Sequence, residues 1–197
     1  MIIGPDAAAL GGLAGASALL GAVATVLGAV FLILFFAKGG LWGLLNDIAS
    51  IVLMLATLPV VLFLASFSGG LVGPLIAAGI ALVGIVGMLG TSVSQGLLIA
   101  RVRTYQQLLP WTLGFGAVVG VWYVFIAITG YLAGMPMFMA LLALLSGISF
   151  VALGYGFLRG NERHPLSVGG GVVLLFASTA FLIWIGLSAV AVAALSR

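Results

Sequence analysis

Six runs of apolar residues, each long enough to cross a hydrocarbon layer as a helix, constrain this chain more than anything else in it. A membrane-crossing helix needs about 20 predominantly apolar residues. The runs cover roughly residues 10–37, 41–67, 71–100, 108–132, 135–158 and 168–195. Lys38-Gly39-Gly40, Ser68-Gly69-Gly70 and the polar segment from Arg101 to Gln107 separate the first four. None of the runs alternates with the dyad period of a membrane β-barrel strand, and most are far too long for one. The expectation is an all-α fold: one polytopic transmembrane bundle of six helices occupying residues 1–197.

Composition agrees. Hydrophobic residues make up 64% of the chain and charged residues 5%, against about 25% charged in a soluble domain. So few charges cannot cover a water-facing surface, and lipid must be the main solvent. The basic pI of 9.8 reflects six basic against three acidic residues. There is no basic patch with interleaved aromatics, which excludes a nucleic-acid partner. The absence of cysteine removes disulfides, thiolate catalysis and cysteine-ligated metals together. The single histidine, His164, excludes paired-histidine haem or chlorophyll ligation and has no ligand cluster around it for a metal. No cofactor is expected. The N-terminal segment from Met1 to Asp6 lacks a basic n-region, and the run behind it exceeds a signal's h-region, so it reads as a retained first helix.

Prolines sharpen the boundaries. Pro74, Pro110 and Pro136 fall where first turns are expected, and Pro165 precedes the sixth run. Pro59 lies well inside the second run, where it should kink the helix and free the Leu55 carbonyl, with Thr57 near enough to help re-satisfy the backbone. Orientation follows from basic residues in short loops. Lys38, Arg101, Arg103, Arg159 and Arg163 all follow odd-numbered helices, whereas Arg197 is alone on the other side. Both termini are therefore expected on the non-cytoplasmic face of a bacterial cytoplasmic membrane. Three helices on each side of the Arg101–Gln107 loop would suit an inverted repeat, although the halves share little residue similarity.

Two patterns stand out within the runs. On the first helix Ala7, Gly11, Ala14, Ala18, Gly21, Thr25 and Gly28 recur at spacings of four and three, all small, opposite Leu10, Leu13, Leu20, Leu27 and Phe31. Such a seam lets helix backbones approach closely. It serves either a contact inside the bundle or a contact with another chain. The third run carries a related face: Gly73, Ala77, Gly84, Gly87, Thr91 and Ser94. The second pattern centres on Asp47, which follows Asn46 and is continued at helical spacing by Ser50, Met54 and Thr57. Folding the second helix back on the third brings Asp47 level with Thr91–Gln95, so Asp47, Thr91, Gln95 and Arg101 form a candidate polar intramembrane site. An intramembrane carboxylate is costly and a functional candidate. The alternative is a helix that starts at Asp47, with Asn46 or Asp47 as its N-terminal cap and Trp42 in the interfacial aromatic belt.

Arg101, Arg103, Arg159 and Arg163 are candidate contacts for anionic lipid headgroups. Trp122, Tyr123, Phe125, Phe181 and Trp184 sit deep in their runs, as packing residues or as the wall of a pigment, quinone or lipid pocket. The templates of serine and metal proteases, phosphate-binding loops and phosphotransfer carboxylates are all absent. The stretch Trp42-Gly43-Leu44-Leu45-Asn46-Asp47, with Gly156-Phe157-Leu158 and His164-Pro165-Leu166, resembles a loose group of uncharacterised bacterial six-helix integral membrane proteins. That resemblance implies a helix bundle and no particular activity. Size and helix number are also similar to the substrate-binding subunits of energy-coupling-factor vitamin transporters, whose termini are cytoplasmic, opposite to the charge reading.

The residues favour a non-enzymatic accessory or structural subunit, partnered by membrane lipids and by other membrane subunits or itself through helix–helix association. The alternative is a small transporter or channel for an uncharged or lipophilic solute, with Asp47 and Gln95 on the path. Topology is directly testable: reporters fused after Lys38, Arg103 and Arg163 should read cytoplasmic and both termini external. A terminus found in the cytoplasm sets helix parity against charge bias and ends this arrangement.

Overall fold

The computed structural model describes the backbone of residues 5–160 and 164–195, where every regular element is an α-helix. These are α1 (Pro5–Lys38), α2 (Leu41–Val72), α3 (Pro74–Ile99), α4 (Tyr105–Leu132), α5 (Met137–Gly160) and α6 (Pro165–Leu195). All six are long and apolar enough to cross a membrane. The shortest, 24 residues, rises about 36 Å at ~1.5 Å per residue. The chain is thus a multi-pass membrane protein by helix length and composition. Each helix packs on its neighbours in sequence, and α6 returns to α1, so the bundle is a closed ring with a small additional contact of α2 with α4. The outer surface is studded with large apolar side chains, Leu20, Ile33, Leu75, Leu82, Val93 and Phe176 among them.

The turns explain the ring. Gly39 and Gly40 have φ of 67° and 64°, a left-handed pair that reverses the chain between α1 and α2 where a β-carbon would be strained. At the end of α4 the Met135 N–H donates to the Gly130 carbonyl at 2.8 Å and the Gly134 N–H to Tyr131 at 3.0 Å, around the positive φ of Gly134. This is a Schellman closure. The same closure ends α3, with bonds from Val102 to Leu97 and from Arg101 to Leu98, but its left-handed position is held by Arg101, φ 55°. Thr104 opens α4, its N–H bonded to the Gln107 side chain at 3.1 Å, which is one half of a capping box.

Two boundary expectations and one hydrogen-bond expectation are corrected. The second helix does not stop at Ser68-Gly69-Gly70. Ser68 is buried and gives its hydroxyl proton to the Leu64 carbonyl at 2.9 Å, so it is absorbed into the helix. The break comes at Gly73, φ 85°, with Pro74 opening α3. Pro110 is not in a first turn but inside α4, because the polar turn Tyr105-Gln106-Gln107 adds itself in front. Thr57 does not serve the Leu55 carbonyl: its hydroxyl donates to Leu53 at 2.7 Å, and α2 runs on through Pro59.

The connections α1–α2, α3–α4 and α5–α6 carry Lys38, Arg101, Arg103 and Arg159, and we name this the basic end. Arg163 and Glu162 lie outside the described residues. The core is densest in the opposite half, where Trp122, Ile126, Phe181, Leu182, Ile185, Val60 and Val61 are fully enclosed. Ring pairs tie it together: Trp122 meets Tyr123 at 4.8 Å, and Tyr123 meets Phe181 edge-on at 5.7 Å. Phe125, expected with them, is exposed on the outer surface.

The small-residue seam of α1 is spent inside the bundle. Gly11, Ala14, Ala18, Gly21 and Gly28 are buried and Thr25 is half-buried, while Ala7's side chain lies outside what is described. Gly21 faces Leu182 of α6 and Leu53 and Thr57 of α2; Gly28 faces Ala49 and Asn46 of α2. The tightest point is Gly15, which that pattern omitted. A β-carbon there would come within 2.7 Å of Val190 and 2.9 Å of the Gly186 carbonyl oxygen. Gly15→Ala should therefore destabilise the monomer in detergent by about 1–3 kcal/mol through overpacking. Leu20→Ile, on the exposed face, should leave the melting temperature unchanged. Equal tolerance of both would show that α1 is not held by backbone contact.

Candidate functional site: a central chamber in the basic half

Where the basic half of the ring leaves its axis unfilled, a cavity of about 240 Å³ is lined by residues from all six helices. It lies between the basic end and the packed half, its deepest wall residue on α1, Ala24, about 21 Å from Lys38 along the helix. Its polar residues are Thr25, Asn46, Ser50, Thr91, Gln95 and Thr112. Apolar side chains make up most of the rest, with Leu53, Met54, Phe150 and Leu174 at the inner end. Those four, with Thr25, also border a second cavity of about 40 Å³ that reaches Thr57, Tyr123 and Ser178. Beyond it stands the aromatic core. The chamber is therefore blind toward the far end.

Three of the four wall hydroxyls are already committed as donors. Thr25 gives its proton to Gly21 at 2.8 Å, Ser50 to Asn46 at 2.9 Å and Thr91 to Gly87 at 2.9 Å. Each bond reaches back one turn along its own helix, leaving only oxygen lone pairs for a ligand. Gln95 differs. Its Oε1 is buried and has no hydrogen-bond partner, although such an orphan costs about 1–3 kcal/mol. Beside the amide N–H groups of Asn46 and Gln95 and the Thr112 hydroxyl, the wall therefore carries acceptors, and the Oε1 of Gln95 is unmet.

The structure brings together only part of the site expected from sequence. Thr91 and Gln95 line the chamber, and Asp47 and Arg101 do not. Asp47 is half-buried and hydrogen-bonded to the Asn46 side chain, and no ion pair joins it to Arg101 among the described residues. It is not a helix cap either: α2 begins at Leu41 after Gly40, more than a turn earlier. The stripe of polar and soft residues was real but begins one residue sooner. Asn46, Ser50 and Met54 line the chamber and Thr57 the inner cavity, while Asp47, turned about 100° from Asn46, is at the edge of that face and outside the wall. Thr112 of α4 carried no sequence signal, since only the ring places it opposite α2.

The arginines sit outside the chamber. Arg101 and Arg103 are exposed. Arg103 joins Gln107, Trp111 and Phe115 along an outer groove of about 610 Å³ between α3 and α4, and Arg159 lies 5.4 Å from the Tyr155 ring centre. Compared with protein-family models, curated proteins and solved structures, the chain matches none, and its geometry alone carries the functional reading. Gln95→Leu removes the orphan at nearly constant volume, so it should raise the melting temperature of the empty protein, by about 1–3 kcal/mol of stability. A lower melting temperature would mean that Gln95 is a structural contact.

Proposed function

We propose that this protein binds a small uncharged amphipathic solute in the central chamber and carries it, rather than catalysing a reaction. The carrying observation is the unpartnered, buried Oε1 of Gln95, a residue that borders a cavity to which every helix contributes. An unmet acceptor on a residue bordering a ring-wide cavity supports a binding site, because a hydrogen-bonding ligand would satisfy it.

The chamber's chemistry narrows the solute. At about 240 Å³ it is below the usual range for drug-sized ligands. Its wall is mostly apolar and, among the described residues, holds no Lys, Arg, Asp or Glu, so an ion would be desolvated without a countercharge. The committed hydroxyls and Gln95 Oε1 present acceptors. The fitting ligand is a short apolar body carrying an O–H or N–H donor. The positive-inside bias of Lys38, Arg101, Arg103, Arg159 and Arg163 supports a cytoplasmic basic end, hence a chamber in the cytoplasmic half of a bacterial inner membrane with both termini outside. The small-residue seam is occupied by the chain's own helices, so it lends no weight to an accessory-subunit role.

Binding can be read directly. In nanodiscs, trifluorohexanol should give a bound resonance by fluorine NMR, and its methyl ether, lacking the donor, should bind several-fold more weakly. Gln95→Leu should weaken the alcohol about fivefold, the worth of one hydrogen bond near 1 kcal/mol, and leave the ether unchanged. Equal binding of alcohol and ether, or no bound signal, refutes the solute site.

A further inference from the structure

The seams of the ring are not alike, and the one between its first and last helices is closed along only part of its length. Close approaches of α1 and α6 run from Gly11 on Ala189, through Gly15 on Gly186, to Gly21 on Leu182. All lie in the half away from the basic end. Toward the basic end the two faces come into the open. On α1, exposure rises from 4% at Ala22 to 44% at Val26 and 66% at Ile33; on α6 it rises from 0% at Leu182 to 51% at Val172.

Each helix leans on its other neighbour there. Gly28, the last buried residue of α1, rests against Ala49 and Asn46 of α2. Gly170, buried in the first turns of α6, rests on Ser149 and Leu153 of α5. The chamber lies behind this parting: Ala29 and Leu32 of α1 and Gly171 and Leu175 of α6 are all in its wall. Three of the other seams carry covering side chains there. Phe31 meets Trp42 at 6.0 Å and the Phe35 ring would lie 3.0 Å from a β-carbon on Gly43, which closes α1 onto α2. The Phe115 ring packs directly on Gly90 and closes α4 onto α3, and Ser167 packs directly on Gly156 and closes α6 onto α5. Thr179, one turn from Leu182 at the apex of the parting, keeps a buried hydroxyl oxygen without a partner, unlike Ser178 beside it, which bonds to Leu174.

We infer that the chamber opens sideways between α1 and α6, and that its solute arrives from the lipid rather than from water. This rests on the reading of the chamber as a solute site and adds the route and the substrate class. The rim side chains Val26, Ile33, Val168 and Val172 are apolar and outward-facing. A charged or heavily hydroxylated solute would shed its water along such a rim without compensation. The ligand is therefore a membrane-partitioning amphiphile, drawn in by its apolar body and stopped by donating a hydrogen bond to Gln95.

The chain contains no cysteine, so an introduced pair can be bridged cleanly. In nanodiscs, the Leu32→Cys/Leu175→Cys protein is compared before and after reaction with a flexible bismaleimide, using exchange of trifluorohexanol by fluorine NMR. Bridging should slow exchange tenfold or more while the bound resonance of the preloaded alcohol persists. A Val93→Cys/Trp111→Cys bridge across the outer α3–α4 groove should leave exchange unaltered. Unaltered exchange with α1 and α6 bridged overturns the lateral route and leaves the chamber standing. Equal slowing by both bridges also overturns it, since the effect is then general stiffening. No bound resonance in the unbridged protein overturns the solute site itself.

Discussion

The bundle depends on backbone-to-backbone contact between helices at glycine. Helices that associate in lipid gain little from burying apolar surface, because the acyl chains they displace are as apolar as their side chains. What holds them is close packing, and here it is made repeatedly by a glycine set against a neighbour's main chain. A β-carbon on Gly87 would meet the Val119 nitrogen at 2.8 Å, one on Gly120 the Gly147 carbonyl at 2.7 Å, and one on Gly15 the Gly186 carbonyl at 2.9 Å. These contacts join α3 to α4, α4 to α5 and α1 to α6. Such approach also permits Cα–H···O contacts, which need no polar side chain. A ring of six helices with so few hydrogen-bonding side chains holds together on that basis.

Polar groups are handled by the same economy. Thr25, Ser50, Thr57, Thr91, Ser92 and Ser178 each return their proton to the carbonyl four residues earlier. This satisfies the donor locally and lets a hydroxyl sit deep in an apolar bundle at small cost. Against that background the few groups left unmet are conspicuous. Gln95 Oε1, Thr179 Oγ1 and Trp122 Nε1 have no partner. The indole lies pressed on Gly84 within the packed half, where it serves shape. Gln95 belongs to the chamber, and Thr179 to the line where α1 and α6 part.

The two halves of the molecule thus have different physical characters. The far half is filled by Trp122, Tyr123, Phe181 and the aliphatic residues around them. The basic half keeps a void rimmed by acceptors. A void costs dispersion contacts and stability, and the rigid half beneath it gives the chamber a fixed floor.

By itself the sequence determined the number, length and apolar character of the helices, because the bilayer's thickness and its intolerance of unpaired backbone impose those directly on the chain. It also determined which face of α1 would be buried, since a seam of Gly11, Ala14, Ala18 and Gly21 has no other use than close approach. The polar stripe of α2 was legible as a stripe, but its register was not. Asp47 drew attention as a charge, whereas the chamber belongs to Asn46, Ser50 and Met54, and the one-residue difference is fixed by how α2 rotates against α1 and α3. Which partner the α1 seam meets, whether Gly15 or Gly21 makes the tightest contact, and where α1 and α6 separate are properties of the closed ring. Only tertiary structure decides these, because they depend on residues distant in sequence, Thr112 and Gly186 among them, being brought against the first helices when the sixth returns to the first.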